Sequence, residues 1–97
     1  MVNLDIEFEW DLLKEAENYK KHQCSFVEAI ESFGDVHGIQ VFDAMHSMLE
    51  QRFYWIGKTS TGRIITTWFT RRGSKVRIIG SAELRKFRRL YETSKIE

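Results

Sequence analysis

Lys20-Lys21-His22 set two ammonium groups beside an imidazole, and Glu50-x-Arg52 places a carboxylate two residues from a guanidinium. Arg77, like Arg52, alternates with apolar neighbours in a period-two run. Imidazole and carboxylate groups can exchange protons with a reacting centre, whereas the planar fork of arginine holds oxyanions. Beside the basic runs the further acids and bases are His46 and Tyr91. Together these types suit acid–base work on a substrate that already carries negative charge. Each has a structural rival. Cations in the last turn of a helix interact favourably with its dipole, which explains Lys20, Lys21 and His22 without any substrate. A single arginine on a sheet is commonly a solvated or ion-paired surface group.

Other chemistry finds less support. His22, Cys24, His37 and His46 lack the Cys-x-x-Cys or His-Glu-x-x-His spacing of a metal centre, so neither a metal nor another cofactor is expected. A lone cysteine usually packs as a small hydrophobe. Trp55 and Trp68 could stack on bases, but tryptophan within a period-two strand is more often core, and both are read as core here. Met45 and Met48 read as gap-fillers or as an adaptable contact surface.

The charge distribution narrows the partner. Residues 1–50 carry three Lys/Arg against 11 Asp/Glu, and residues 51–97 carry 12 against three, beneath a net charge of +1. An acidic half joined to a basic half fits a polyanionic partner for the latter, or a surface that complements itself. Ninety-seven residues with 42% hydrophobic content and 13 aromatic side chains make one globular domain over 1–97. The single cysteine, and a start that is not a basic stretch followed by a long apolar run, lead to the expectation of a reduced, cytoplasmic setting. No apolar run approaches the roughly 20 residues of a membrane span.

The elements that must position these groups follow from periodicity. Asp11 caps a first helix ending near His22, with Leu12, Leu13, Ala16 and Tyr19 expected to face inward and Lys14, Glu15 and Glu17 outward. Ser25 and Glu28 match a capping box, and Phe26, Ala29, Ile30 and Phe33 give the buried face of a short second helix stopped by Gly34. Strands are expected over Ile39–Phe42, Arg52–Gly57, Arg63–Thr70 and Lys75–Ile79, joined most simply as an antiparallel meander. A last helix from Ala82 to about Thr93 turns Leu84, Phe87 and Tyr91 inward and carries Arg85, Lys86, Arg88 and Arg89 outside. The expected architecture is α+β: two N-terminal helices, a four-stranded antiparallel sheet with helices on one face, and a C-terminal helix.

The stretch from Phe8 to Phe33 resembles the start of the BrnT family of RelE-like ribonuclease toxins, whose members typically read F-x-W-D-x-x-K and then N-x-x-K-H-G-x-S-F-x-E-A. The matching residues are Phe8, Trp10, Asp11, Lys14, Asn18, Lys21, His22, Ser25, Phe26, Glu28 and Ala29, followed by His46-Ser47, Glu50-x-Arg52, Gly57, Arg63, Phe69-Thr70 and Arg77-Ile78-Ile79. Gln23 stands where the family usually has glycine, so the left-handed helix end is either adopted at some cost or avoided. Glu83 stands where many members have arginine.

The resemblance implies a RelE-like fold and the toxin of a type II toxin–antitoxin pair, an endoribonuclease that inhibits translation and growth. Metal-free RNA cleavage needs a base for the 2′-hydroxyl, cations for the phosphate and an acid for the leaving oxygen. The catalytic set expected on this basis is His22, Glu50, Arg52 and Arg77, with Arg52 and Arg77 as phosphate clamps. Lys21, Arg63, Arg71, Arg85, Lys86 and Arg89 are the expected RNA contacts. The implied partner is a BrnA-like antitoxin of ribbon-helix-helix type, through which alone the complex would touch DNA. The altered ending around Glu83 keeps open an alternative, a catalytically inactive RNA-binding or antitoxin-like interaction module on the same fold.

Overall fold

The first rung of the sheet comes from three residues, Glu-Phe-Glu, that no periodicity could reveal. In the computed structural model, which describes residues 6–94, strand β1 (Glu7–Glu9) pairs in parallel with β5 (Lys75–Ala82) in the register Phe8↔Val76. The remaining strands β2 (Ile39–Phe42), β3 (Arg52–Lys58) and β4 (Ile64–Arg72) complete the order β1-β5-β4-β3-β2. The sheet therefore has five strands and is mixed, not the four-stranded antiparallel sheet expected from the pattern. β2 to β5 do form the expected antiparallel meander. Residues 1–5 and 95–97 of the expected domain lie outside the described residues.

Helix α1 (Leu12–His22) begins where Asp11 accepts hydrogen bonds from the backbone N–H groups of Leu13 and Lys14. It ends at Gln23, which adopts φ 51° and gives its N–H to the Tyr19 carbonyl. The left-handed cap thus survives the loss of glycine, at the steric cost of a Cβ in that region. Helix α2 (Phe26–Ser32) carries the full capping box of Ser25 and Glu28. Helix α3 (Arg85–Thr93) follows β5 after two residues.

The helices are not confined to one face. α2 packs Phe26 and Ala29 against Ile78, with Phe33 wedged among Trp55, Phe69 and Phe8. Tyr91 and Phe87 of α3 pack on the opposite face with Ile56, Ile64, Ile39 and Val41. Alternation along β3 requires this division, because Trp55 and Ile56 are consecutive and must point opposite ways.

α1 reverses the expected orientation. Leu12 and Leu13 are 75% and 76% exposed, and Ala16 and Tyr19 also face outward. Instead the buried Asn18 side chain bonds to the Cys24 carbonyl and to both backbone groups of Ser81. These are directional bonds in a desolvated position, and their loss would leave several buried polar groups unsatisfied. They turn the polar face of α1, with Lys14, Lys21 and His22, toward β5. Among the described residues no helix is long and apolar enough to cross a membrane.

Candidate active site

Trp68 lies in the middle of the sheet with a concavity on either side. On the β3 side a cavity of about 280 Å³ is lined by Asp43, His46, Arg52, Tyr54, Trp68 and Leu84. On the β5 side one of about 220 Å³ is lined by Lys14, Glu17, Asn18, Lys21, His22, Trp68 and Ile79. The indole can occupy this place because it is paired with Gly80, where a Cβ would overlap the ring. A β-bulge after Trp68 leaves Ile79 without a partner in the ladder. Trp68 thus borders two concavities, whereas Trp55, equally half-buried, packs inward: it stacks on Phe33 and donates its indole N–H to the Ser32 carbonyl.

The β3-side wall is built by the connection from β2 to β3. Asp43 N–H donates to the Arg52 carbonyl, closing one more rung beyond the strands. Ser47 ties the same neck, its hydroxyl donating to the Asp43 carbonyl and accepting from Arg52 N–H at 2.9 Å. A 3₁₀ turn at Ala44–His46 then brings the imidazole back over its own neck. His46 Nδ1 lies 2.9 Å from the Asp43 carboxylate, whose side chain is 9% exposed against 59% for the imidazole. Tyr54 also bonds to Asp43. Burial, then the charge of Asp43 and that hydrogen bond, push its phenol above the ordinary value. Tyr54 therefore stays a neutral donor.

Arg52 stands in the same wall. It shares a row across the sheet with Thr70, Arg77 and Glu9. Its Nε is buried and has no acceptor among the described residues. A desolvated guanidinium N–H without a partner costs free energy that a bound oxyanion would recover. Arg77, the other expected clamp, bonds to Glu9 at 3.2 Å, and Lys75 approaches the same carboxylate at 3.9 Å.

The other sequence-derived candidates scatter. His22 meets Trp68 edge to face at 6.1 Å between ring centroids, with Lys21 beside it in the β5-side cavity. Glu50 lies 3.4 Å from Arg72. With Met45, Met48 and Leu49 it borders an exposed apolar hollow next to His46 and Arg52. Arg71 is exposed at the end of β4, and Arg85, Lys86 and Arg89 are exposed on α3. Arg63 is different. It bonds to Glu28 at 2.6 Å, to Glu83 at 2.8 Å and to the Gln23 carbonyl at 3.1 Å. Those bonds, first to Glu83 and then to Glu28, hold its guanidinium far above its ordinary pKa.

The structure thus brings His22 and Lys21 to one side of Trp68 and Arg52 to the other, and keeps Arg77 one residue beyond Thr70 in the Arg52 row. Sequence reasoning passed over Asp43 and Tyr54, and weighed Trp68 and His46 without choosing either. The Asp43-x-x-His46 spacing was the available signal, since it allows a carboxylate and an imidazole to meet within one turn.

Comparison with known proteins gives this geometry a context. The sequence profile of BrnT, the ribonuclease toxin of type II toxin–antitoxin systems, matches residues 10–87. The 1.1 Å crystal structure of the Brucella abortus ribonuclease toxin BrnT superposes with a TM-score of 0.58 at 20% identity, covering 81% of this chain and 96% of the other. No curated protein sequence matches. A profile that spans most of the chain, from Trp10 to Phe87, includes both sides of the Trp68 face. The chain belongs to the BrnT family of ribonuclease toxins of type II toxin–antitoxin systems.

Proposed function

We propose that this toxin binds and cleaves single-stranded RNA on the Trp68 face, stacking a base on the indole while Arg52 holds the adjoining phosphate. The buried Nε of Arg52, without an acceptor and at the wall of a cavity, carries this reading. Stacking suits any base, so selection by sequence would come from neighbouring contacts. His22 supplies the proton for the leaving 5′-oxygen from the far side of Trp68. Glu50 and Arg77 act at the margin, each through the charge it shares with Arg72 or Glu9. Lys21, Arg71, Arg85, Lys86 and Arg89 guide the RNA backbone beyond the site, and Arg63 contributes through the fold.

The family supplies a cognate antitoxin. We read it as a BrnA-like protein of ribbon-helix-helix type whose acidic segment covers the basic face of α3 and the strand arginines, so that DNA is met only through the antitoxin. The fold is read as RelE-like and the setting as cytoplasmic. Incubating the purified chain with end-labelled RNA, with and without a chelator, tests the reading. Cleavage that persists in chelator and is suppressed by the co-purified antitoxin is expected. RNA that is bound but not cut would favour an inactive binding module.

A further inference from the structure

We propose that Asp43 and His46 form the acid–base pair of this face, His46 taking the proton from the attacking 2′-hydroxyl and Asp43 positioning it. The proposal rests on the reading of the Trp68 face as an RNA-cleaving site. Two observations independent of the family carry it. The carboxylate is buried while the imidazole it holds is mostly open, which is the arrangement of an orienting group and a working group. The contact also uses Nδ1, which places that proton toward Asp43 and leaves Nε2 with its lone pair for a substrate.

The surroundings support the same division of labour. Asp43 accepts from His46 and from Tyr54, and Ser47 fixes the backbone on both sides of the neck, so the carboxylate has little freedom to turn away. The ionisable groups around the imidazole are Asp43 on its own loop, Tyr54 and Arg52 from β3, and Glu50 on the outer side. Arg52, with its unmatched Nε, shares both concavities that His46 borders. A phosphate held there would lie beside the imidazole.

The reaction balances without a co-reactant. His46 Nε2 removes the 2′-hydroxyl proton, the 2′-oxygen forms a bond to phosphorus, and the bond from phosphorus to the 5′-oxygen breaks. A protonated His22 returns one proton to that oxygen, giving a 2′,3′-cyclic phosphate and a 5′-hydroxyl. Proton exchange with water then resets both imidazoles.

The test compares wild-type toxin, His46→Gln, His46→Gly and Asp43→Asn on a labelled RNA oligonucleotide, measuring kcat, KM and product ends across pH 5–9. His46→Gln is expected to lose about 10²–10⁴-fold in kcat, the range for removing a general base, with KM changed by less than about threefold. It should also lack the fall in rate toward acid pH that a histidine general base predicts for the wild type. Asp43→Asn, which keeps the shape of the carboxylate, should lose less, with the loss in kcat and KM changed by less than about threefold. Added imidazole should partly restore His46→Gly. Thermal melts within about 3 °C of wild type would show that the fold is retained, as the exposure of His46 requires. Wild-type kcat and an unchanged pH profile in His46→Gln would overturn the pair while leaving RNA cleavage standing. Wild-type protein that cuts no RNA would overturn the underlying reading and the pair with it.

Discussion

Arg63 and Arg52 lie on neighbouring strands or their ends, and their guanidinium groups live differently. Arg63 is engaged by two carboxylates and a carbonyl, and ties the cap of α2, the left-handed Gln23 and the residue that follows β5 into one cluster. Arg52 keeps a buried Nε with no acceptor among the described residues, at a wall that also holds His46, Asp43 and Tyr54. A cation matched by its own chain organises that chain, whereas one left unmatched beside a cavity is available to a ligand. Even Glu83, which departs from the commoner family residue, is engaged in the first cluster and not in the second.

The contrast breaks most visibly at Arg52. Arg52→Ala should lower the cleavage rate by about 10²–10³-fold, the scale for losing a preorganised donor to a developing oxyanion, with little change in melting temperature. Arg52→Lys should recover only part, because an ammonium lacks the planar fork. Single-turnover assays beside thermal melts read both quantities. Full activity in the alanine variant would remove Arg52 from the chemistry.

Trp68→Ala comes next, and should weaken binding of short RNA about 5- to 100-fold, as loss of one stacked base predicts. Fluorescence anisotropy with a 2′-O-methyl oligonucleotide, which binds without being cut, measures it. Unchanged affinity would return Trp68 to a packing role.

Arg63→Ala should do the reverse of Arg52→Ala. Leaving Glu28 and Glu83 without their cation should cost about 1–3 kcal/mol, or roughly 4–20 °C in melting temperature for a domain of this size, with kcat within about threefold of wild type. A variant as stable as wild type but impaired in cleavage would exchange the roles assigned to the two arginines.

The smallest effect is in pH. Burial raises the Glu28 carboxyl, but hydrogen bonds from Arg63 and the Ser25 N–H outweigh it and leave its pKa lowered. A group depressed in the folded state stabilises fully above its unfolded pKa of about 4.3, and that stability is lost as pH falls through the folded value. Chemical denaturation between pH 7 and pH 3 should therefore show an acid loss that is shallower in Arg63→Ala. Parallel curves for the two proteins would remove the pair from the acid response.

Local chemistry makes much of this molecule readable in its sequence. The cap at Asp11, the capping box of Ser25 and Glu28, and the limits of β2 stand where the residues place them, because each depends on neighbours within a few positions. β1 was invisible since three residues show no alternation, and its hydrogen bonds go to a strand at the other end of the chain. The stripe of Leu12, Leu13, Ala16 and Tyr19 told which residues share a face of α1, but periodicity does not say which face meets the core. Asn18 decides that through long-range bonds to Ser81. The site was legible in part for a related reason. His22, Arg52 and Lys21 stood out by type, whereas Asp43, His46 and Tyr54 converge only when the neck at Asp43 and Arg52 closes. Trp68 needed the absence of a side chain at Gly80, a fact about the neighbouring strand.

The most direct test of the two-arginine contrast is the salt dependence of binding to an uncleavable 2′-O-methyl RNA for wild type, Arg52→Ala and Arg63→Ala. Each phosphate neutralised on a single strand contributes about 0.7 to the slope of log affinity against log salt. The slope should fall by about 0.7 in Arg52→Ala and stay at the wild-type value in Arg63→Ala. A slope reduced in Arg63→Ala and unchanged in Arg52→Ala would contradict the assignment of one arginine to the RNA and the other to the fold.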